Sequence, residues 1–377
     1  MRAPMTLLWL SLLTATAAGE TAPACWMPGD LAYHKGDERV QKAAARIAPP
    51  QRMLAAYSPT AQRGVIRRVK LTGDKKLVAL TFDLCEQPSE ISGYQGGIVD
   101  FLRTNGIKAT FFMGGKWMLS HRERTQQLMS DPLFEVANHT WEHRNLRVVS
   151  GQALVDEIKN AQVAYEQVRE ELEAKQCTGP RGNRLAHEQA PRRLSLLRFP
   201  YGACSAAALD EAAHQGLLPI QWDVSSGDPA FAQSARAIEH QVLANVQPGS
   251  IVLFHANGRG WHTDGALPGI VAALKARGYE FTTVSELLAA GELRMRERIA
   301  PQQEERCPRA FALERLENAG GGAGRGPVVE GEHDLLGSER EGVVKMLAAD
   351  ARRRCGLDRQ NARGAERFSG AGRWFRG

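Results

Sequence analysis

Leu77-Val78-Ala79-Leu80-Thr81-Phe82-Asp83 is a short apolar run that stops on a carboxylate. A run of this length suits a buried strand better than a helix. Before it, residues 65–71 and a Thr72-Gly73-Asp74 turn give another strand. After it the chain alternates. The pattern predicts a helix over 94–102 ending at Asn105-Gly106, a strand over 109–113, a helix over 117–129 and a strand over 134–137. A long amphipathic helix over 153–175 carries Leu154, Ile158, Val163, Tyr165 and Val168 near one another. A polar insertion over 177–193 precedes strands at 196–199, 217–224, 251–255 and 281–284. Helices at 206–215, 235–246 and 269–276 lie between them. Thr283 and Glu286 form a capping-box pair opening a helix over 285–290, and Gly291 stops it. Such alternation, about seven times over, predicts an α/β domain with a mostly parallel sheet, open or closed into a barrel.

In such sheets the chemistry collects at the C-terminal strand ends. Five of the predicted strands end in polar residues: Asp83; His139 with His143; Arg198 to Tyr201; Asp223 to Asp228; and His255. His139 and His143, four apart, fall on one face if the stretch turns helically, so both imidazoles can bind one metal. Asp83 suits a general base beside a metal, and His255 a proton donor. The Pro200-Tyr201-Gly202 bend can aim a backbone N–H at a developing oxyanion, with Arg198 holding a carboxylate.

In order, the segments Thr81-Phe82-Asp83, His139-Thr140-Trp141-Glu142-His143, Arg198-Phe199-Pro200-Tyr201-Gly202, Trp222-Asp223-Val224-Ser225-Ser226-Gly227-Asp228 and Leu253-Phe254-His255 resemble the five motifs of the NodB-type polysaccharide deacetylases, carbohydrate esterase family four. The resemblance covers roughly residues 75–290. It implies a distorted (β/α) barrel of about seven strands and a divalent metal, usually zinc. The implied reaction is hydrolysis of N-acetyl groups on an amino-sugar polymer or oligomer (peptidoglycan, exopolysaccharide or chito-oligosaccharide), releasing acetate. It assigns His139 and His143 as metal ligands, Asp83 as base, Arg198 as its orienting partner and His255 as acid. The Tyr201 N–H holds the oxyanion. Trp222, Leu253 and Pro200 belong to the substrate pocket. Two positions depart from the pattern. Leu84 stands where the family has a second Asp as third metal ligand, which leaves completion by water or recruitment of Asp83 or Glu86. In the fourth motif the usual pair of acids aligns with Ser225 and Asp228. Asp228 is then the group tuning the catalytic pair, with Asp223 as compensation.

Other readings fit parts of this pattern. His139 to His143 also matches HxxEH, an inverzincin protease pattern with Glu142 as base, but that needs a long helix and leaves the other four segments unexplained. A glycan-binding module without catalysis, or a hydrolase of another amide or O-acetyl ester, would use the same fold. A nucleophilic role for Cys85 lacks the rest of a cysteine-hydrolase arrangement.

The chain has 377 residues, 43% of them hydrophobic and 24% charged, which excludes a wholly disordered or collagen-like protein. A net charge of +6 is mild for this size and does not call for a nucleic-acid partner, anionic glycans or a membrane surface fitting as well; the carbohydrate partner is what the resemblance implies. Residues 1–18 read as a signal peptide: Arg2, a short apolar run and Ala15-Thr16-Ala17. The run is too short for a permanent membrane span, so a periplasmic or secreted protein is expected. Cys25, Cys85, Cys177, Cys204, Cys307 and Cys355 contain no CxxC pair and would meet an oxidising compartment, where a Cys85–Cys204 disulfide is one option. The expected organisation is a lead-in over 19–63, a catalytic domain over 64–291 and a tail over 292–377. From Glu292 the tail holds 16 Arg, one Lys and 13 Gly with no sustained period. It reads as a disordered basic segment or as out-of-frame translation of a GC-rich gene.

Overall fold

The computed structural model describes residues 22–296 except 44–45, 53, 55–57, 61–63 and 181–183. The signal-like segment, nearly all of the Arg/Gly-rich tail, Cys307 and Cys355 lie outside the described residues.

The apolar run from Leu77 forms an interior strand of the sheet. Ten strands position the site: β1 (Val65–Leu71), β2 (Leu77–Leu84), β3 (Ala109–Met113), β4 (Phe134–Asn138), β5 (Leu196–Leu197), β6 (Leu218–Pro219), β7 (Val224–Ser225), β8 (Ile251–His255), β9 (Glu280–Phe281) and β10 (Gly291–Arg296). Seven of them pair in parallel in the order β6-β5-β4-β3-β2-β8-β7, with β9 added to β2. This is a curled parallel α/β half-barrel. Every residue of β2 after Leu77 is buried, as expected for a parallel strand covered on both faces. Alternate residues take opposite sides. Val78, Leu80, Phe82 and Leu84 join the large apolar cluster packed with the helices, whereas Ala79 packs in a separate cluster with Phe112 and Ile251.

The covering helices are α1 (Gly96–Thr104), α2 (Gly115–Ser120), α3 (Arg122–Met129), α4 (Gly151–Ala174), α5 (Ala206–His214), α6 (Ala235–Asn245), α7 (Thr263–Ala276) and α8 (Val284–Ala289). The single helix expected over 117–129 is broken at His121 into α2 and α3. The strand expected over 217–224 is two short strands, β6 and β7. Helix α7 begins at Thr263, earlier than expected, and carries Pro268 within its first turns. The Thr283–Glu286 capping box of α8 forms as expected. Strand β1 does not pair with β2; it pairs antiparallel with β10, which carries the fold past Gly291 to Arg296.

Helix α2 packs on α4 closely enough to require glycine. A Cβ on Gly115 would stand 2.7 Å from the Ala161 Cα and 2.7 Å from the Trp141 ring. The lead-in is tied down by a Cys25–Cys177 disulfide, which spans a sequence separation of 152. Cys85 and Cys204 are both free and buried, so the Cys85–Cys204 bridge is not formed. Cys204 packs in a cluster with Leu146, Leu154 and Phe199.

Candidate active site

The parallel register sets the candidate acid beside the candidate base. Asp83 on β2 lies opposite His255 on β8 and opposite Phe112 on β3, and Phe112 lies opposite Ala137 on β4. Arg198 directly follows β5, whose Leu197 pairs with Asn138.

Asp83 and Arg198 form a buried ion pair. Asp83 is 4% exposed and Arg198 fully buried, and the Arg198 Nη1 donates to Asp83 Oδ1 at 2.7 Å. The guanidinium lies over the Phe112 ring, 3.9 Å from its centroid, and faces Trp222 at 5.6 Å. Burial pushes the Asp83 carboxyl up, but the Arg198 charge and hydrogen bond, with His255 nearby, outweigh it and hold the group below its ordinary value. Asp83 is therefore ionised at neutral pH, as a base must be.

Arg198 also fixes a histidine. His139 Nδ1 lies 2.8 Å from the Arg198 carbonyl oxygen. A carbonyl only accepts, so Nδ1 carries the proton and Nε2 keeps a lone pair. That Nε2 is buried without a hydrogen-bond partner, 3.4 Å from Asp83 Oδ2. The His143 Nδ1 is likewise buried and unpartnered. Burial lowers both imidazoles, His143 well below its ordinary value, which keeps them neutral.

The two rings meet edge to face with centroids 5.0 Å apart, but not through the expected helical turn. Thr140 and His143 have φ of 65° and 60°, in the left-handed region. A β-branched residue there is costly and needs external support. Asn138 Oδ1 accepts from the Thr140 N–H, the Gly115 N–H donates to the Thr140 carbonyl, and the Lys116 N–H donates to the Trp141 carbonyl.

Asp228 holds His255 at two points. Its Oδ1 lies 2.9 Å from His255 Nδ1, and its Oδ2 accepts from the His255 backbone N–H at 2.7 Å. The Thr263 hydroxyl donates to the same Oδ2 at 2.7 Å. A carboxylate partner puts the proton on Nδ1 and leaves Nε2 to hold and release a second one. Burial opposes charging of His255, but Asp228 and Asp83 outweigh it and raise its pKa above the ordinary value.

Tyr201 sits in a left-handed turn, φ 58°, with its ring 4.6 Å from that of His143. Pro200 is buried at the same bend, and Trp222 lies over Gly202. Leu253, on β8 in register with Thr81, lies two residues before His255 and so on its side of the strand.

Several expectations are corrected. Asp223 is not in the site: it accepts from the Ser250 hydroxyl and the Ile251 N–H, both at 2.8 Å, at the opposite end of β8. Glu86 does not reach the histidines either. It is buried against the Ser92 N–H and the Ser120 hydroxyl, 3.9 Å from Lys116, and burial pushes its pKa up to about 7. Glu142 is bound by Arg144 rather than placed as a base, and no long helix surrounds it. Leu84 packs in the core on the helix side of β2.

Three residues of the site escape the sequence reading, Phe112, Asn257 and Thr263; Cys85 is read there as a nucleophile or a disulfide partner and not as a metal ligand. Strand periodicity could have found Asn257, which follows His255 by two, and it sets Cys85 two residues after Asp83. Among the described residues, one group of metal-capable side chains has its ligand atoms all within 4.8 Å of one another: Cys85, His139 and His143. Thiolate and neutral imidazole suit a divalent ion with bonds of about 2.0–2.3 Å. The unpartnered His139 Nε2 is what such an ion would satisfy. The residues present therefore fit a metal.

Residues 70–220 match the family model described as polysaccharide deacetylase. A peptidoglycan-N-acetylglucosamine deacetylase of Bacillus cereus is 30% identical over 224 residues, covering 59% of this chain and 71% of that protein. The peptidoglycan-N-acetylglucosamine deacetylase PgdA of Listeria monocytogenes is 29% identical over 212 residues, 56% of this chain; the match spans 39% of that relative's length. A chitooligosaccharide deacetylase of Azorhizobium caulinodans is 27% identical over 222 residues, covering 56% of this chain and 93% of that one. In fold, a CE4 family pseudoenzyme from Bacillus anthracis is similar, with a TM-score of 0.50 at 22% identity over 62% of this chain and 72% of that one. The chain belongs to the polysaccharide deacetylase family.

Proposed function

We propose that this protein is a metal-dependent hydrolase that removes N-acetyl groups from an amino-sugar polymer or oligomer and releases acetate. The observation that carries this reading is the register of β2 and β8, which sets the ionised, Arg198-bound Asp83 beside the Asp228-bound His255. A base and an acid are thus held next to two imidazoles with free lone pairs. The names of the Bacillus, Listeria and Azorhizobium relatives support an N-acetylated glycan as substrate.

His139 and His143 would hold the ion, with zinc the expected metal. When bound, it supplies Lewis acidity toward the acetyl oxygen and toward water. Asp83 takes the proton from the attacking water, and Arg198 keeps that carboxylate ionised and aimed. The Tyr201 N–H, in its left-handed turn, donates to the developing oxyanion. Leu253 and Trp222 shield the acetyl methyl. His255 Nε2 then gives its proton to the departing sugar amine, and Asp228 stabilises the imidazolium until it does. The product amine carries the proton and acetate leaves.

No described helix is long and apolar enough to cross a membrane. An exported setting is part of this proposal; the signal-like sequence of residues 1–18 and the Cys25–Cys177 disulfide, a bond that persists in oxidising compartments, support it.

Acetate release from N-acetylglucosamine oligomers and from peptidoglycan tests the proposal. Turnover that stops with a chelator and returns with zinc is expected. Glycan binding without acetate release, with metal bound, would contradict it and favour a binding module.

A further inference from the structure

From the geometry of the cluster we infer that Cys85, as thiolate, is the third protein ligand of the metal, giving a Cys-His-His set in place of the carboxylate that Leu84 cannot supply. The inference rests on the reading that His139 and His143 hold a metal; it does not depend on which substrate is hydrolysed.

Strand geometry comes first. Thr81 and Asp83 share one side of β2, where Asp83 meets Arg198 and His139; Cys85 continues that alternation just past the strand's end, and Leu84 turns the other way into the helix-side core. Leu84 is buried in the apolar core, whereas the side chain of residue 85 lies beside the two histidines. The main chain after β3 draws the two segments together. The Gly114 N–H donates to the Leu84 carbonyl at 2.8 Å, and the Gly115 N–H donates to the Thr140 carbonyl at 2.9 Å. A Cβ on Gly114 would contact Cys85 Cα at 3.5 Å and the Thr140 carbonyl oxygen at 3.6 Å, so little separates the two backbones.

The immediate surroundings are those of a ligand rather than of a core thiol. A cysteine that only fills space packs against carbon. The Cys85 sulfur instead lies within 4.8 Å of the ligand nitrogens of His139 and His143, and the His139 Nε2 is buried with no partner. The fully buried Asn257 donates its Nδ2 to the Cys85 carbonyl at 2.9 Å and approaches the sulfur at 3.4 Å. An N–H directed at sulfur is the kind of outer contact that fixes and tunes a thiolate ligand.

The exchange of carboxylate for thiolate conserves the charge of the set. On binding, the thiol proton goes to solvent. Three protein ligands leave an open position for water or substrate, as catalytic zinc sites do. Arg198 holds Asp83 Oδ1, and Oδ2, 3.4 Å from His139 Nε2, is the oxygen left beside the cluster to take a proton. A sulfur donor also favours zinc or cobalt over magnesium, manganese or calcium.

The test is spectroscopic. X-ray absorption of the zinc-loaded full chain should show one sulfur scatterer at about 2.3 Å beside the nitrogen shell. The cobalt-loaded protein should show a near-ultraviolet sulfur-to-metal charge-transfer band. Cys85→Ser should lose both features, and Cys204→Ser should keep both. A wild-type protein that binds one metal through nitrogen and oxygen alone overturns the inference while leaving the proposed reaction standing. That measurement needs no variant to fold. A sulfur-ligated metal without acetate release overturns the reaction and leaves the inference standing. Failure to bind metal at all overturns both.

Discussion

Two aspartates five residues apart clamp the two ends of the same strand. Asp223 accepts from Ser250 and the Ile251 N–H where β8 begins; Asp228 accepts from the His255 N–H, His255 Nδ1 and Thr263 where it ends. Each uses both carboxylate oxygens, and both lie in the segment that resembles the fourth family motif. Yet one binds backbone and a serine near Arg68, while the other holds an imidazole beside Asp83. The C-terminal end of a parallel sheet is where side chains converge. Position along the strand, rather than residue type, thus separates a structural carboxylate from a chemical one.

The largest effect that sharpens this contrast is expected at the group Asp228 serves. His255→Ala should lower kcat for acetate release by about 10²- to 10⁴-fold, the range of a general acid, with metal content unchanged. A smaller loss would place the proton donor elsewhere.

Asp228→Asn comes next and should act through pH. Because Asp228 and Asp83 raise the His255 pKa, wild-type activity should persist to alkaline pH, and the variant's alkaline limb should move lower. Above that limb, roughly tenfold in rate is lost for each unit surrendered. Stability follows the same sign. A histidine raised in the folded state contributes stability that is full below its unfolded value of about 6.5 and is lost as pH rises through the folded one. Wild type should therefore exceed Asp228→Asn in Tm by more at pH 6 than at pH 9. An equal gap at both would contradict the pairing.

Asp223→Asn should have the smallest catalytic effect. It disturbs two partly buried hydrogen bonds at the far end of β8, at a cost of about 1 kcal/mol. Chemical denaturation should show that loss while kcat stays near wild type. A variant as inactive as Asp228→Asn would erase the distinction between the two ends.

The same comparison shows what could be read from the sequence. Apolar runs ending in polar residues are local signals, so Asp83, His139, Arg198 and His255 were legible as strand ends before any pairing was known. Which end of a strand a carboxylate serves is not local. Asp223 looked like the end of one strand and is the clamp at the start of the next. Cys85 reads from the sequence as a nucleophile or a disulfide partner, not as a ligand, for a different reason. The family pattern drew the search for a third ligand to Leu84, although the two-residue period of β2 points to residue 85. The Cys25–Cys177 bridge depends on tertiary contact across the chain, which spacing alone does not determine. The turn at His139 to His143 depends on the Gly115 and Lys116 main-chain donors, another contact that the motif itself does not contain.

The central claim is that the strand-end cluster performs base-assisted deacetylation from Asp83. Acetate release by wild type and Asp83→Asn, both loaded with zinc and matched for metal content, tests it most directly. Asparagine keeps an oxygen for Arg198 but is a far weaker base. The account predicts active wild type and a loss of about 10²- to 10⁴-fold in the variant at equal metal content. Equal turnover by the two proteins would contradict it.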